Sequence, residues 1–144
     1  MHSRVLFSAL ALASVVFAAG EASAARIAVT VTGLKSNEGG VYVGLYATPS
    51  KFLNGTQVDA MKKVRASTGP VTVVFDNVAP GTYAVGAYHD ENNNANLDTS
   101  SLGLPTEGYA LSNGVRAVTS KPTFQQAAFA VGSAGAAVSL QIRY

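Results

Sequence analysis

Five stretches of the chain alternate apolar and polar positions with a period of two. In 26–34, Ile27, Val29 and Val31 fall on one side and Ala28, Thr30 and Thr32 on the other. In 40–47, Val41, Val43 and Leu45 oppose Tyr42, Gly44 and Tyr46. Val71, Val73 and Phe75 share a side in 70–78; Tyr83, Val85, Ala87 and His89 share one in 81–90; Val138, Leu140 and Ile142 share one in 136–144. Successive side chains of a strand point to opposite faces, so this pattern predicts half-buried β-strands. The expected core includes Ile27, Val29, Val31, Val43, Leu45, Val73, Phe75, Val85, Leu140 and Ile142.

Turn chemistry separates the strands. SNEGG (36–40) predicts a hairpin loop between the first two. Pro80-Gly81 predicts a turn in which Pro presets φ and Gly takes a positive φ. Pro49 opens one predicted helical turn in 49–53, and 122–129 predicts another. No long helix, repeat or linker interrupts the pattern. Short strands with frequent turns predict an all-β fold, two antiparallel sheets packed as a sandwich of about seven strands, with a closed barrel as the alternative.

The first 24 residues read differently. Arg4 precedes an apolar run from Val5 to Ala19, and Ala22-Ser23-Ala24 is a small-x-small site. These are the parts of a secretory signal peptide, with cleavage after Ala24 and a periplasmic or secreted product. The run is short for a span of about 20 residues, which sets an N-terminal anchor behind the signal reading. No Cys follows for lipid attachment. Residues 25–144 are then a single domain with no membrane span. Without cysteine, neither disulfides nor thiolate metal sites exist. The net charge of +2 is too weak for a nucleic-acid footprint, and the cluster Lys62, Lys63, Arg65 reads as a solvated strand or loop face.

Candidate chemistry concentrates in HDENNNANLD (89–98). The calcium loop of EF-hands places oxygen ligands at positions 1, 3, 5, 7 and 9, a bidentate Glu at 12 and Gly at 6. Counted from Asp90, side-chain oxygens of Asp90, Asn92, Asn94 and Asp98 fill positions 1, 3, 5 and 9, and the carbonyl of Asn96 fills 7. Ser101 stands at position 12, so Glu107 would have to supply the last carboxylate. Ala95 stands at position 6, where a left-handed residue costs about 1 kcal/mol more than Gly. The expectation is a weak calcium site or, as the plain alternative, a turn whose Asn and Asp side chains bind their own backbone. His89 is the only histidine after Ala24, so zinc or copper would lack further imidazole ligands. Its alternative place is a strand end, hydrogen-bonded near Glu107 or Tyr109.

Three stretches carry a resemblance: 74–98, 102–113 and 122–129. The patterns F-x-x-[VL]-x-P-G-x-Y, H-D-x-N-x-N-x-x-L-D and G-x-P-x-E-G-Y occur in order on Phe75 to Tyr83, His89 to Asp98 and Gly103 to Tyr109. In this the chain resembles exported bacterial proteins of domain-of-unknown-function family 2141. The resemblance implies a transthyretin-like or immunoglobulin-like sandwich and no assigned activity. The family often has Gly where this chain has Ala95.

Two functions follow. The first is a non-catalytic module of the cell envelope, binding a protein or glycan and stiffened by calcium; Tyr42, Tyr46, Tyr83, Tyr88 and Tyr109 would form a sugar-stacking face if exposed, against the plainer reading of half-buried strand residues. The second is a small hydrolase using His89, Asp90 and Glu107. It lacks a G-x-S-x-G elbow, and a sandwich of this size has little room for a cleft. A cleft holding His89 beside Asp90 or Glu107 would favour the hydrolase; an aromatic face would favour binding.

Overall fold

The computed structural model describes residues 24–118 and 120–144, so the predicted signal segment lies outside it apart from Ala24. Eight strands form: β1 (Ala25–Thr32), β2 (Gly40–Tyr46), β3 (Ala60–Arg65), β4 (Val71–Val78), β5 (Gly81–Asp90), β6 (Tyr109–Leu111), β7 (Phe129–Val131) and β8 (Ala136–Gln141). The two expected helical turns are present. Pro49–Lys51 is a 3-10 turn, and α1 (Phe124–Ala127) is closed by a capping box between Thr123 and Gln126.

The strands make two sheets. One has the order β4-β1-β8; the other runs β3-β2-β5-β6, with β7 pairing the start of β5. The chain is thus an all-β sandwich, as the alternation predicts. All ten predicted core residues are buried, and they pack with Val41, Ala87 and Ala110 into one cluster. Each fully buried aliphatic side chain contributes about 1.5–3 kcal/mol relative to exposure. In β1, Val29 lies between Val73 of β4 and Val138 of β8, and Val31 lies between Val71 and Leu140. β-Branched side chains in adjacent registers line that inner face.

Three details differ from expectation. SNEGG does not close a hairpin: β1 pairs with β4 and β8, while β2 lies in the other sheet, so residues 33–39 cross between sheets. Adjacent strands in sequence need not be adjacent in a sheet when each sheet must bury one face against the other. The β1–β8 pair is parallel, not antiparallel. Gly81 simply begins β5, and the positive φ nearby belongs to Asn77 (57°). The register between β1 and β4 slips there, with Ala25 opposite Val78 but Ile27 opposite Phe75. The extra residue is a β-bulge, and Asn tolerates the left-handed conformation better than most side chains.

Candidate functional site

The outer face of the five-stranded sheet is where the non-core side chains of β2, β5 and β6 meet. Cross-strand register lines up Tyr42, Tyr88 and Tyr109 in one row. The next row on that face is Met61, Gly44, Gly86 and Leu111. The rings of Tyr42 and Tyr88 stack, with centroids 5.1 Å apart and planes 5° from parallel. Two glycines side by side, between this tyrosine row and Tyr46, leave a trough in the sheet surface. Three connections raise its walls, from Leu53–Met61, Ala95–Pro105 and around Lys121. The result is a groove of about 820 Å³, within the range of small-ligand sites.

Each wall has a local cause. The Asp59 carboxylate accepts the N–H groups of Ala47 (2.8 Å) and Thr48 (2.9 Å), the Thr48 hydroxyl and the Lys51 ammonium (2.6 Å). Desolvation alone would raise the Asp59 pKa; these four donors outweigh it and hold it at about 2. On the opposite wall, residues 90–107 fold on their own carboxylates. Asp90 is fully buried and accepts the N–H groups of Asn94 (3.0 Å) and Ala95 (2.9 Å). Asn92 and Asn94 form Asx turns, each accepting the N–H two residues on. Glu107 accepts the N–H groups of Glu91 and Asp98, both at 3.1 Å, and Thr106 donates to the Asp98 carbonyl. The loop therefore closes against 105–107. Tyr88 ties it to the sheet by donating to the Ala95 carbonyl at 3.0 Å. Burial first, then Tyr42, Asp90 and Glu107, push this hydroxyl up to about 12, so it keeps its proton.

Of the six residues of the expected calcium set, Asn92, Asn94 and Asp98 bring their side chains together. Asn92 and Asn94 donate their amides to Asp98 at 2.7 and 2.8 Å on the exposed side of the loop. Asp90 and Glu107 spend their oxygens on backbone N–H groups, and Asn96 donates to the Asn94 carbonyl. Among the described residues, no three of His, Asp or Glu converge as an ion-binding group, so a cation here would depend on amide oxygens. Ala95 has the predicted left-handed conformation, φ 65°, and Asn93 shares it at 58°. Ala95→Gly is expected to stabilise the domain by about 0.5–1 kcal/mol. A rise of roughly 2–5 °C in a thermal melt checks this; an unchanged or lower melt would mean that the strain is not there.

His89 does not sit in a cleft. It is fully buried beneath the crossover between β1 and β2. One ring nitrogen, Nε2, meets the Glu38 carbonyl at 2.7 Å, and Nδ1 meets the Tyr144 hydroxyl at 2.5 Å. A carbonyl only accepts, so Nε2 carries a proton, while Nδ1 faces the Tyr144 hydroxyl with Glu91 Oε1 3.6 Å away. Burial raises the Tyr144 pKa, consistent with a donor. His89 thus occupies the strand-end place, tied to Tyr144 and Glu38, with its own N–H on the Gly108 carbonyl.

Sequence reasoning placed four of the five tyrosines correctly as half-buried strand residues, and Tyr46 is buried. Tyr83 is not at the groove; its hydroxyl binds the Ala79 carbonyl. It missed Met61, Val58 and Leu104 as lining residues, and it missed the trough. The available signal was Gly44 and Gly86, since glycine inside a strand often marks a close approach by a ligand or another chain.

A model of a family described as "Uncharacterized protein conserved in bacteria" (DUF2141) matches residues 29–139. No curated protein and no solved structure matches the chain.

Proposed function

The chain belongs to the bacterial DUF2141 family, and we propose that it is an exported, non-catalytic module of the cell envelope that works by binding a partner in the groove over Tyr42, Tyr88 and Tyr109. The groove itself carries the reading. Its floor is rigid sheet, its walls are hydrogen-bonded loops, and rigid sites lose less entropy on binding. An envelope glycan would lay a sugar face on the tyrosine row; a protein would insert one apolar side chain over Gly44 and Gly86. The burial of His89, with both ring nitrogens engaged, supports binding over hydrolysis.

The chain has six Tyr and no Trp, and four of those Tyr line the groove. Tyrosine emission therefore reports occupancy directly. Titration with soluble glycan fragments and short peptides from a bacterial envelope is expected to change it saturably. Gly86→Val fills the trough and should remove the response; the added Cβ comes nearest to the end of the Leu111 side chain, at 3.1 Å, with Tyr46 and the Ala110 carbonyl at ordinary contact distance. Identical titrations of variant and wild type would refute the groove as the site. Export is supported by β1 starting at Ala25, so cleavage after Ala24 would remove no strand residue. Intact mass of the exported protein should place Ala25 first; a product retaining Met1 would overturn this.

Weak calcium binding at 90–98 is a second proposal, favoured by the exposed convergence of Asn92, Asn94 and Asp98. Rotating the two amides, which gives up the two Asx turns, would turn their oxygens toward the same point as the Asp98 carboxylate. Ca²⁺ at ten times Kd would add about 1.4 kcal/mol to stability, roughly 3–6 °C in the melt. The check compares EDTA, ~10 mM CaCl₂ and ~10 mM MgCl₂, an affinity range typical of extracellular sites. The rise should be calcium-specific and vanish in Asp98→Ala. No rise in wild type leaves the loop as a self-satisfied wall.

A further inference from the structure

Charge is distributed unevenly around the groove. Among its described lining residues, Lys121 alone carries a formal charge. Two more cations stand over the tyrosine row. Lys63 Nζ lies 4.9 Å from the Tyr42 ring centroid, and the Arg116 guanidinium lies 5.3 Å from that of Tyr109. No carboxylate is among the described lining residues: Asp59, in one wall, is paired with Lys51 and the N–H groups of Ala47 and Thr48, and Asp90, Asp98 and Glu107 turn their oxygens onto N–H groups of their own loop. The floor itself is aromatic, aliphatic or bare backbone. Two of the hydroxyls on it are already engaged, Tyr88 with the Ala95 carbonyl and Tyr109 with the Ala117 N–H at 3.1 Å.

A mostly apolar floor with two of its four hydroxyls engaged offers little to a ligand that is polar all over. A rim with three cations, whose nearest carboxylates are already paired, selects for negative charge. We propose that the groove takes up a small amphipathic anion whole, with its apolar body over Gly44 and Gly86 and its anionic head held by Lys121, with Lys63 and Arg116 adding to the local positive field. This rests on the groove being the binding site, and it names what enters.

Two dyes with the same aromatic body separate the two ideas. 8-Anilinonaphthalene-1-sulfonate carries an anionic head; N-phenyl-1-naphthylamine lacks it. Both brighten in an apolar site. The folded domain is expected to bind the sulfonate more tightly than the neutral amine. Lys121→Glu should weaken the sulfonate roughly three- to tenfold, the scale of an exposed charge reversal, and leave the amine unchanged. Gly86→Val should weaken both, with the melt of each variant confirming that the dye is not reading unfolded chain. Leu104→Lys serves where Gly86→Val fails to fold, because Leu104 is exposed and its side chain holds no core contact. Its added cation should spare the sulfonate while weakening the amine. Equal binding of both dyes, indifferent to Lys121→Glu, overturns the anion inference and leaves the groove standing. Binding of neither dye overturns both.

Discussion

Val85→Asp leaves the domain unfolded at ordinary temperature. Val85 is fully buried, opposite Leu45 in the register of β5 and β2, and its N–H donates to the buried Ser112 hydroxyl at 3.0 Å. Nothing around it could receive a charge. Burying a lone carboxylate there costs several kcal/mol, and losing the valine removes about 1.5–3 more. A domain of this size has roughly 5–15 kcal/mol in total. Circular dichroism and a chemical melt read the loss. Thr82→Asp is the control: it lies in the same strand but is exposed, and should shift the melt little. Two variants with equal melts would mean that β5 does not face the core as described.

Glu107→Gln has the next largest effect. One carboxylate holds two points of the loop, the N–H of Glu91 and the N–H of Asp98, from a position only 8% exposed. The amide keeps one acceptor and turns an N–H toward the other donor. Losing a charge-assisted bond and leaving a buried donor unmet costs about 2–4 kcal/mol. The denaturation midpoint should fall accordingly. Hydrogen exchange should quicken at Glu91 or Asp98, while the amides of Asn94 and Ala95, held by Asp90, change less. Unchanged protection at both 91 and 98 would show that Glu107 does not tie the loop.

Much of the fold was legible because most strands bury one face, and burial imposes the period of two. The exceptions are informative. β3 is nearly all exposed and is held by its ladder to β2, so AMKKVR shows no apolar rhythm. β6 and β7 are three residues each, too short for a rhythm to register. The crossover at 33–39 was misread because turn residues report a change of direction, not which strand comes next. At the site, much of the loop was legible: Asp and Asn pointed to its Asx turns and Ala95 to one left-handed position, though not to the second at Asn93. The groove was not, because it is assembled from outward faces of separate strands and from walls far apart in sequence. Only the pair Gly44 and Gly86 hinted at it, and their pairing across β2 and β5 is a fact of register, not of sequence.

The position of β8 has a consequence for how the molecule is made. β1, at the start of the domain, is the middle strand of its sheet, and one of its two neighbours is formed by residues 136–141. Ile142 and Tyr144 follow, the first buried in the core and the second seated on His89. A nascent chain therefore cannot complete that sheet until residues 136–141 have been synthesised. Pairings between such distant segments form slowly, since loop closure comes before any contact rewards it. Until then the polypeptide has no finished core, a condition that would suit the proposed export, in which a chain is threaded through a translocon before it folds. Removing residues 136–144 should leave a product that does not complete folding.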